Sequence, residues 1–237
     1  MLPALILCGG LGTRLRSVVA DRPKTLAPVN GEPFLGHLLY HLAEQGCREI
    51  ILSTGYLGEM VEDYAGTGSR WGVHIQYARE PEPLGTGGAI RFAAERVGLT
   101  SAFLVLNGDT FFSGSLKQLV SFHQARGDAA ATIALVEVPS AERYGTVRID
   151  EATGAVTAFR EKQAGFRGPA LINAGAYVVE PELVQSIAAE RNVSLERDVF
   201  PRWVGWGLYG SVFSDAIFLD IGTPEDYARA AGVLCVK

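Results

Sequence analysis

The first half of the chain alternates short apolar runs with segments of helical periodicity, and this limits the fold more than any other feature. Ala4 to Cys8 is an apolar run that ends in Gly9-Gly10, and Glu49 to Thr54, Val73 to Ala78 and Ala102 to Leu106 read as further strands. Pro33 to Gln45, Leu57 to Ala65, Gly88 to Val97 and Leu116 to Arg126 read as the intervening helices, the first with apolar residues at Phe34, Leu35, Leu38, Leu39 and Leu42. Strands apolar on both faces belong to parallel sheets, and each parallel connection needs a crossover helix. The expectation is an α/β fold: a Rossmann-like, three-layer α/β/α arrangement with a mostly parallel mixed central sheet.

The rhythm changes after Ala129. Ala130 to Val138, Gly145 to Asp150, Ala155 to Glu161, Leu171 to Val179, Tyr209 to Phe213 and Ile217 to Leu219 read as strands, and Pro224 to Leu234 as a closing helix. No linker or repeat interrupts the chain. The expectation is one domain over residues 1–237, in two halves, 1–128 and 129–237.

A net charge of −5 on 237 residues disfavours a nucleic-acid polymer as partner, which would need a basic face. Cys8, Cys47 and Cys235 match no metal or redox spacing, and fit reduced thiols in a cytoplasm. Cys8 reads as a small buried side chain at a strand end rather than a nucleophile. No apolar stretch is long enough to span a bilayer, and Leu2 to Cys8 lacks the basic leader of a signal peptide, so no membrane partner is expected.

Four features carry chemistry. Gly9-Gly-Leu-Gly-Thr-Arg14 leaves the first strand, and its glycines let backbone N–H groups converge on phosphate oxygens. Arg14, Arg16, Arg22 and Lys24 crowd cations around that loop in an otherwise acidic chain, which suits a polyanion such as a triphosphate. Neither the Walker pattern nor the third glycine of the dinucleotide fingerprint is present, and Leu15 stands where that glycine would be. The second feature is Pro83-Leu-Gly-Thr-Gly-Gly-Ala89. Gly85, Gly87 and Gly88 permit close approach of a flat ligand such as a base, although glycines at helix starts are common.

The third and fourth features are Asn107-Gly-Asp109 and Asp220-Ile-Gly-Thr-Pro224, each after a strand. Two such carboxylates can share a Mg²⁺ with phosphate oxygens, whereas either alone could be a helix cap or turn residue. In a lower tier, Glu161-Lys162, Tyr144-Gly145 and Asn173-Ala-Gly175 read as a ligand edge, or as a surface ion pair and bulges. His37 and His41 share a helix face but read as structural. Trp203 and Trp206 read as core or interface anchors.

In this order, the glycine loop with Pro23-Lys24, Asn107-Gly-Asp109 and Asp220-Ile-Gly-Thr-Pro224 resemble the sugar-1-phosphate nucleotidyltransferases over nearly the whole chain. Arg16-Ser-Val-Val19, Pro83 to Gly88, Asn107 to Phe112 and Tyr144-Gly145 are most similar to the D-glycero-α-D-manno-heptose 1-phosphate guanylyltransferases. The sequence departs from the family in Cys8, where Ala is usual, and in Thr25, where Pro often follows the lysine.

The resemblance implies the nucleotide-diphospho-sugar transferase fold, with a nucleotide-binding half in 1–128 and a sugar-phosphate-binding half in 129–237. It implies transfer of GMP from GTP to a sugar 1-phosphate, giving a GDP-heptose for capsule or lipopolysaccharide synthesis. Mannose-1-phosphate guanylyl transfer, uridylyl or thymidylyl transfer, and a non-catalytic sugar-nucleotide sensor are the alternatives. By resemblance Arg14, Lys24 and Asp109 are catalytic, and Asp109 and Asp220 hold Mg²⁺. Leu7, Gly9, Gly10, Gly12, Thr13, Gly85, Thr86, Gly87, Asn107 and Gly108 bind the nucleotide. Gly145, Glu161, Lys162 and Asn173 bind the sugar phosphate. A homodimer is the one protein partner expected.

Overall fold

The computed structural model describes residues 1–15, 17–160, 168–189 and 191–234. Strand β1 (Ala4–Leu7) leads through the glycine loop and a 3₁₀ turn (Lys24–Leu26) to a short hairpin, β2 (Pro28–Val29) and β3 (Glu32–Pro33). Helix α1 (Phe34–Glu44), β4 (Glu49–Thr54), α2 (Gly58–Ala65), β5 (His74–Arg79), α3 (Gly85–Val97) and β6 (Phe103–Asn107) follow. Next come β7 (Thr110–Phe112), α4 (Leu116–Gln124), β8 (Ala131–Val138), β9 (Thr146–Ile149), β10 (Val156–Arg160) and β11 (Ala170–Val179). The chain closes with α5 (Pro181–Ser186), a π-helical turn (Leu195–Val199), α6 (Phe200–Trp203), β12 (Leu208–Val212), β13 (Phe218–Asp220) and α7 (Pro224–Val233).

The expected alternation is present, with one shift that matters: α3 begins at Gly85 rather than Gly88, so the second glycine motif is the first turn of a helix. The β2–β3 hairpin, β7, α5, the π turn and α6 were not legible. Strand β7 and α5 are short, and α6 with the π turn occupies the stretch of bulky residues before Trp206.

Nine strands form one mixed sheet. Strands β6, β1, β4 and β5 run parallel in that order, so the chain builds outward from β1 and then returns to its other side. The reversal between β1 and β6 is a topological switch point, where the loops leaving adjacent strands diverge and open a crevice. Strand β11 runs antiparallel to β6 and, further along the same edge, to β9, and antiparallel to β8 on its other edge, joining the two halves in one sheet.

The period of two along β1 explains the layering. Ala4 and Ile6 face a core completed by Phe34, Leu35, Leu38 and Leu42 of α1, Val61 of α2 and Leu119 of α4. Leu5 faces the opposite core, with Ile90 and Ala93 of α3, Leu183 of α5 and Phe200 of α6. Each fully buried Leu or Phe contributes about 1.5–3 kcal/mol, so these two apolar layers hold the sheet in place.

Two side groups took the structural role expected of them: Cys8 is buried, and His37 spends its Nε2 on the Val29 carbonyl, 3.0 Å away. Trp206 did not become a core anchor; it is 74% exposed, while Trp203 donates to Ser186 Oγ at 3.2 Å.

A tight contact fixes the start of α3. The N–H of Gly87 donates to the Val193 carbonyl (2.8 Å), and the N–H of Val193 to the Leu84 carbonyl (2.8 Å). A Cβ on Gly85, whose φ is +70°, would lie 2.6 Å from the Val193 oxygen, and one on Gly88 would lie 2.7 Å from the Arg191 oxygen. Helix propensity favours Ala over Gly by about 1 kcal/mol, but overpacking against backbone costs about 1–3 kcal/mol. Gly88→Ala is therefore expected to lower the melting temperature by several degrees; an unchanged or raised value would show that the 191–195 segment yields freely.

Candidate active site

The crevice at the switch point collects the carboxylates and cations singled out in the sequence. Asp109 follows β6, two residues beyond its last strand position. Asp220 ends β13, which pairs antiparallel with β7 so that Asp220 stands opposite Thr110. The Ile221 N–H also donates to the Asp109 carbonyl at 3.0 Å. A two-stranded ribbon thus brings together two acidic residues far apart in sequence.

Lys24 lies at the start of its 3₁₀ turn, behind the buried Pro23, and its ammonium is bound to Asp109 Oδ2 in an ion pair largely shielded from water. Burial pushes the Asp109 carboxyl up, but the charge and hydrogen bond of Lys24 outweigh it, and the carboxyl stays below the ordinary range. Asp220 goes the other way: burial and then the nearby Asp109 charge raise it, partly countered by Lys24, the Gly222 N–H and Arg14. Arg14 stands over this end of the site, its guanidinium 3.4 Å from where a Gly222 Cβ would be.

Of the four expected cations, two converge here. Arg22 is committed to its neighbour Asp21 at the surface, and Arg16 lies outside the described residues, as do Glu161 and Lys162. Gly12 adopts φ +59° and a Cβ there would lie 3.3 Å from the Lys24 Cβ, while a Cβ on Gly10 would meet open space. Gly10 and Thr13 are exposed, and Gly9 and Gly12 partly so. Gly108 serves packing: its N–H donates to the Leu7 carbonyl at 3.1 Å, and a Cβ would lie 2.4 Å from that oxygen.

Two cavities flank this centre. One, of about 280 Å³, is lined by Arg14, Asn107, Asn173, Gly145, Glu196 and Asp220, among others. Asn107, expected on the nucleotide side, therefore opens onto the same space as Gly145 and Asn173. The Asn173 amide donates to Tyr177 Oη (2.8 Å) and accepts the Gly175 N–H (2.9 Å), across a break in the β11–β8 register. The second cavity, of about 450 Å³, is lined by Gly9, Leu11, Gly55, Tyr56, Glu80 and Pro83. The half-buried Glu80 carboxylate accepts from Ser53 Oγ (3.2 Å) and the Leu84 N–H (3.1 Å), and burial raises its pKa.

Sequence reasoning missed Glu80, Arg143, Ser194 and Glu196. Glu80 carried a readable signal, since it follows a parallel strand as Asp109 does. Arg143 sits one residue before the Tyr144-Gly145 pair and is gripped by Asp226, which is 1% exposed. Ser194 and Glu196 had no local signal. The Gly85-Thr86-Gly87 turn, expected to line a base, turns its Gly87 amide and Thr86 hydroxyl toward residues 193–196.

Among the described residues no cluster of three or more His, Cys, Asp or Glu side chains could hold a metal, and no helix is long and apolar enough to cross a membrane. The Asp109–Asp220 pair is the relevant donor set. Two desolvated carboxylates, with the Asp109 charge making Asp220 harder to ionise, suit a hard divalent cation that keeps waters and phosphate oxygens as its other ligands.

Residues 3–235 match the model of a family described as nucleotidyl transferase, and the chain belongs to that family. It is 40% identical over 228 residues to the D-glycero-alpha-D-manno-heptose 1-phosphate guanylyltransferase of Aneurinibacillus thermoaerophilus, covering 96% of each chain. It is also 40% identical over 236 residues to the mannose-1-phosphate guanylyltransferase of Mycobacterium tuberculosis, covering 98% of this chain but 64% of that one. HddC from Yersinia pseudotuberculosis, solved alone and complexed with GMP-PN, has a TM-score of 0.85 at 35% identity, covering 98% of this chain and 99% of that one. The expected fold and family are borne out.

The ion pair yields a prediction whose sign follows from linkage. Asp109 is held below its unfolded pKa, so its contribution is present above the ordinary carboxylate range and lost as pH falls through the depressed value. In Lys24→Met burial is opposed only by the Thr110 hydroxyl and a backbone hydrogen bond, and the carboxylate without its cation destabilises the fold until it protonates. The melting-temperature gap between wild type and Lys24→Met should be widest near about pH 7 and narrow toward about pH 3. A gap independent of pH would mean that Lys24 stabilises through packing alone.

Proposed function

We propose that the protein transfers GMP from GTP to a sugar 1-phosphate, with D-glycero-α-D-manno-heptose 1-phosphate as the acceptor, and releases pyrophosphate. The observation that carries this reading is the meeting of Arg14, Lys24, Asp109 and Asp220 at the switch point, between two cavities. A sugar-phosphate oxygen forms a bond to the α-phosphorus while the α–β bridging bond breaks and pyrophosphate takes the electron pair. Such a displacement needs alignment and charge neutralisation more than a side-chain nucleophile.

In this reading the backbone of Gly9, Gly10, Gly12 and Thr13 cradles the triphosphate. Arg14 neutralises the departing pyrophosphate, and Lys24, tethered by Asp109, bridges the α-phosphate and the incoming phosphate. Asp109 and Asp220 would hold Mg²⁺, which when bound supplies charge neutralisation at the phosphate oxygens. By resemblance Lys162 takes the sugar phosphate and Glu161 a sugar hydroxyl, while Gly145, Asn107 and Asn173 line the cavity read as the sugar's. The presence of Arg14, Lys24 and both aspartates argues against the non-catalytic sensor.

Guanine suits the second cavity. A carboxylate offers only acceptors, and guanine alone among the bases places two N–H donors side by side on its pairing edge. Uracil and thymine place an acceptor on each side of one donor, so Glu80 would face at least one repulsive contact. The heptose is supported by the relative matched over 96% of its length, and mannose 1-phosphate by the relative matched over 64%.

Pyrophosphate release from each of the four NTPs with a panel of sugar 1-phosphates tests the reading. GTP with the heptose 1-phosphate should be the preferred pair; release with UTP or dTTP but not GTP refutes the guanylyl assignment. Arg14→Ala, Asp109→Ala and Asp220→Ala should each lower turnover by about 10²-fold or more in a folded chain, and near-normal rates would remove those residues from the mechanism.

A further inference from the structure

Thr86 belongs to the glycine turn that the sequence assigns to the nucleotide, yet its hydroxyl is turned to Leu195 and Glu196, and Glu196 lines the other substrate's cavity. Thr86 Oγ1 accepts the Leu195 N–H at 2.7 Å and lies 3.1 Å from Glu196 Oε2. A hydroxyl has one hydrogen. Since the Leu195 N–H occupies a lone pair of Oγ1, that hydrogen is free to go to the glutamate. Ser194 Oγ donates to the same carboxylate oxygen at 3.2 Å.

Both bonds use Oε2. Oε1 receives none from a described residue, and Glu196 lines the 280 Å³ cavity alongside Asn107, Gly145 and Asn173. The backbone beneath is equally fixed, since Val193 is locked to Leu84 and Gly87 by the close contact that excludes a Cβ at Gly85. A glutamate free in solution would lose rotamer freedom on binding a ligand; here the loss is taken during folding. A fixed anion repels a phosphate and attracts hydroxyls. It therefore suits the hydroxyls of the acceptor rather than its phosphate.

We propose that Thr86 is a positioning residue for the sugar: it holds Glu196 so that the carboxylate accepts a hydroxyl of the sugar 1-phosphate. This rests on the reading of that cavity as the sugar site. The turn at the start of α3 thereby reads the acceptor rather than the base. Its glycines are explained by the packing of residues 191–195, with no ligand needed.

The test is steady-state pyrophosphate release by the full chain, with GTP and the sugar 1-phosphate each varied at saturation of the other, using the sugar the wild type turns over best. Thr86→Val removes the hydroxyl at nearly constant shape and should raise the sugar KM about tenfold while the GTP KM and kcat stay within about twofold. Thr86→Ser should restore the wild-type sugar KM. Glu196→Gln should raise the sugar KM alone, and adding Thr86→Val to it should cost nothing more, because both act through one contact. Should Thr86→Val fail to fold, Thr86→Ala and Glu196→Gln carry the same comparison. A raised GTP KM with an unmoved sugar KM, no effect on either, or losses that multiply in the double variant overturns the proposal. A wild type that releases no pyrophosphate with any sugar 1-phosphate overturns the reading of the cavity and this proposal with it. Normal turnover with an unmoved sugar KM in Thr86→Val overturns the proposal alone.

Discussion

The parallel pairing of β6 against β1, on the side opposite β4, is the constraint on which the rest depends. It makes the loop after Leu7 and the loop after Asn107 leave adjacent strands in the same direction. The phosphate-type loop and Asp109 are neighbours for that reason alone. It also leaves β6 with a free edge, and β11 fills it in the opposite direction. That edge pairing carries Asn173 and Gly175 into the crevice, so the second half of the chain meets the first where the chemistry lies.

Charge at the crevice is balanced by pairing across long sequence distances. Asp109 and Asp220 would repel each other if left alone in a desolvated site, as the upward shift of Asp220 shows. Lys24 relieves that repulsion by binding Asp109, and Arg14 relieves it from the Asp220 side. In the proposed reaction an incoming polyphosphate with its counter-ion would change this balance by bringing negative charge toward the cations and positive charge toward the carboxylates. Asp226 shows the same logic away from the centre. It is buried yet ion-paired to Arg143 and Arg229 and capped by Thr223, so the loop bearing Tyr144 and Gly145 is fastened to α7 just beyond Asp220.

The parts legible in the sequence were those that local physics writes there. Apolar runs and helical spacing gave β1, β4, β5, β6 and the helices between them within a few residues. The glycine loop, Asp109 and Asp220 stood out because each follows a strand. The pairing of β7 with β13 was not legible, since it joins three-residue strands that only the finished sheet brings together. The cation cluster was read too generously: Asp21, one residue away, had already claimed Arg22. Glu196 was out of reach because its importance comes from a π-helical turn among bulky residues that follow no simple period.

The two glycine motifs carry a sharper lesson, because they look alike in sequence and differ in cause. At Gly10 a side chain would meet nothing within 4 Å, so packing within the chain does not call for a glycine there. At Gly85, Gly87 and Gly88 a side chain would strike Val193 and Arg191 of the same chain. There the absent Cβ lets one protein segment approach another, and the segment so admitted carries Ser194 and Glu196. A glycine-rich turn between strand and helix thus identifies a close approach without saying what approaches. Only the neighbouring chain separates a ligand cradle from a packing joint. In this fold an open glycine loop and a glycine packing joint border one crevice, and the joint sets the position of a side chain that lines it, Glu196.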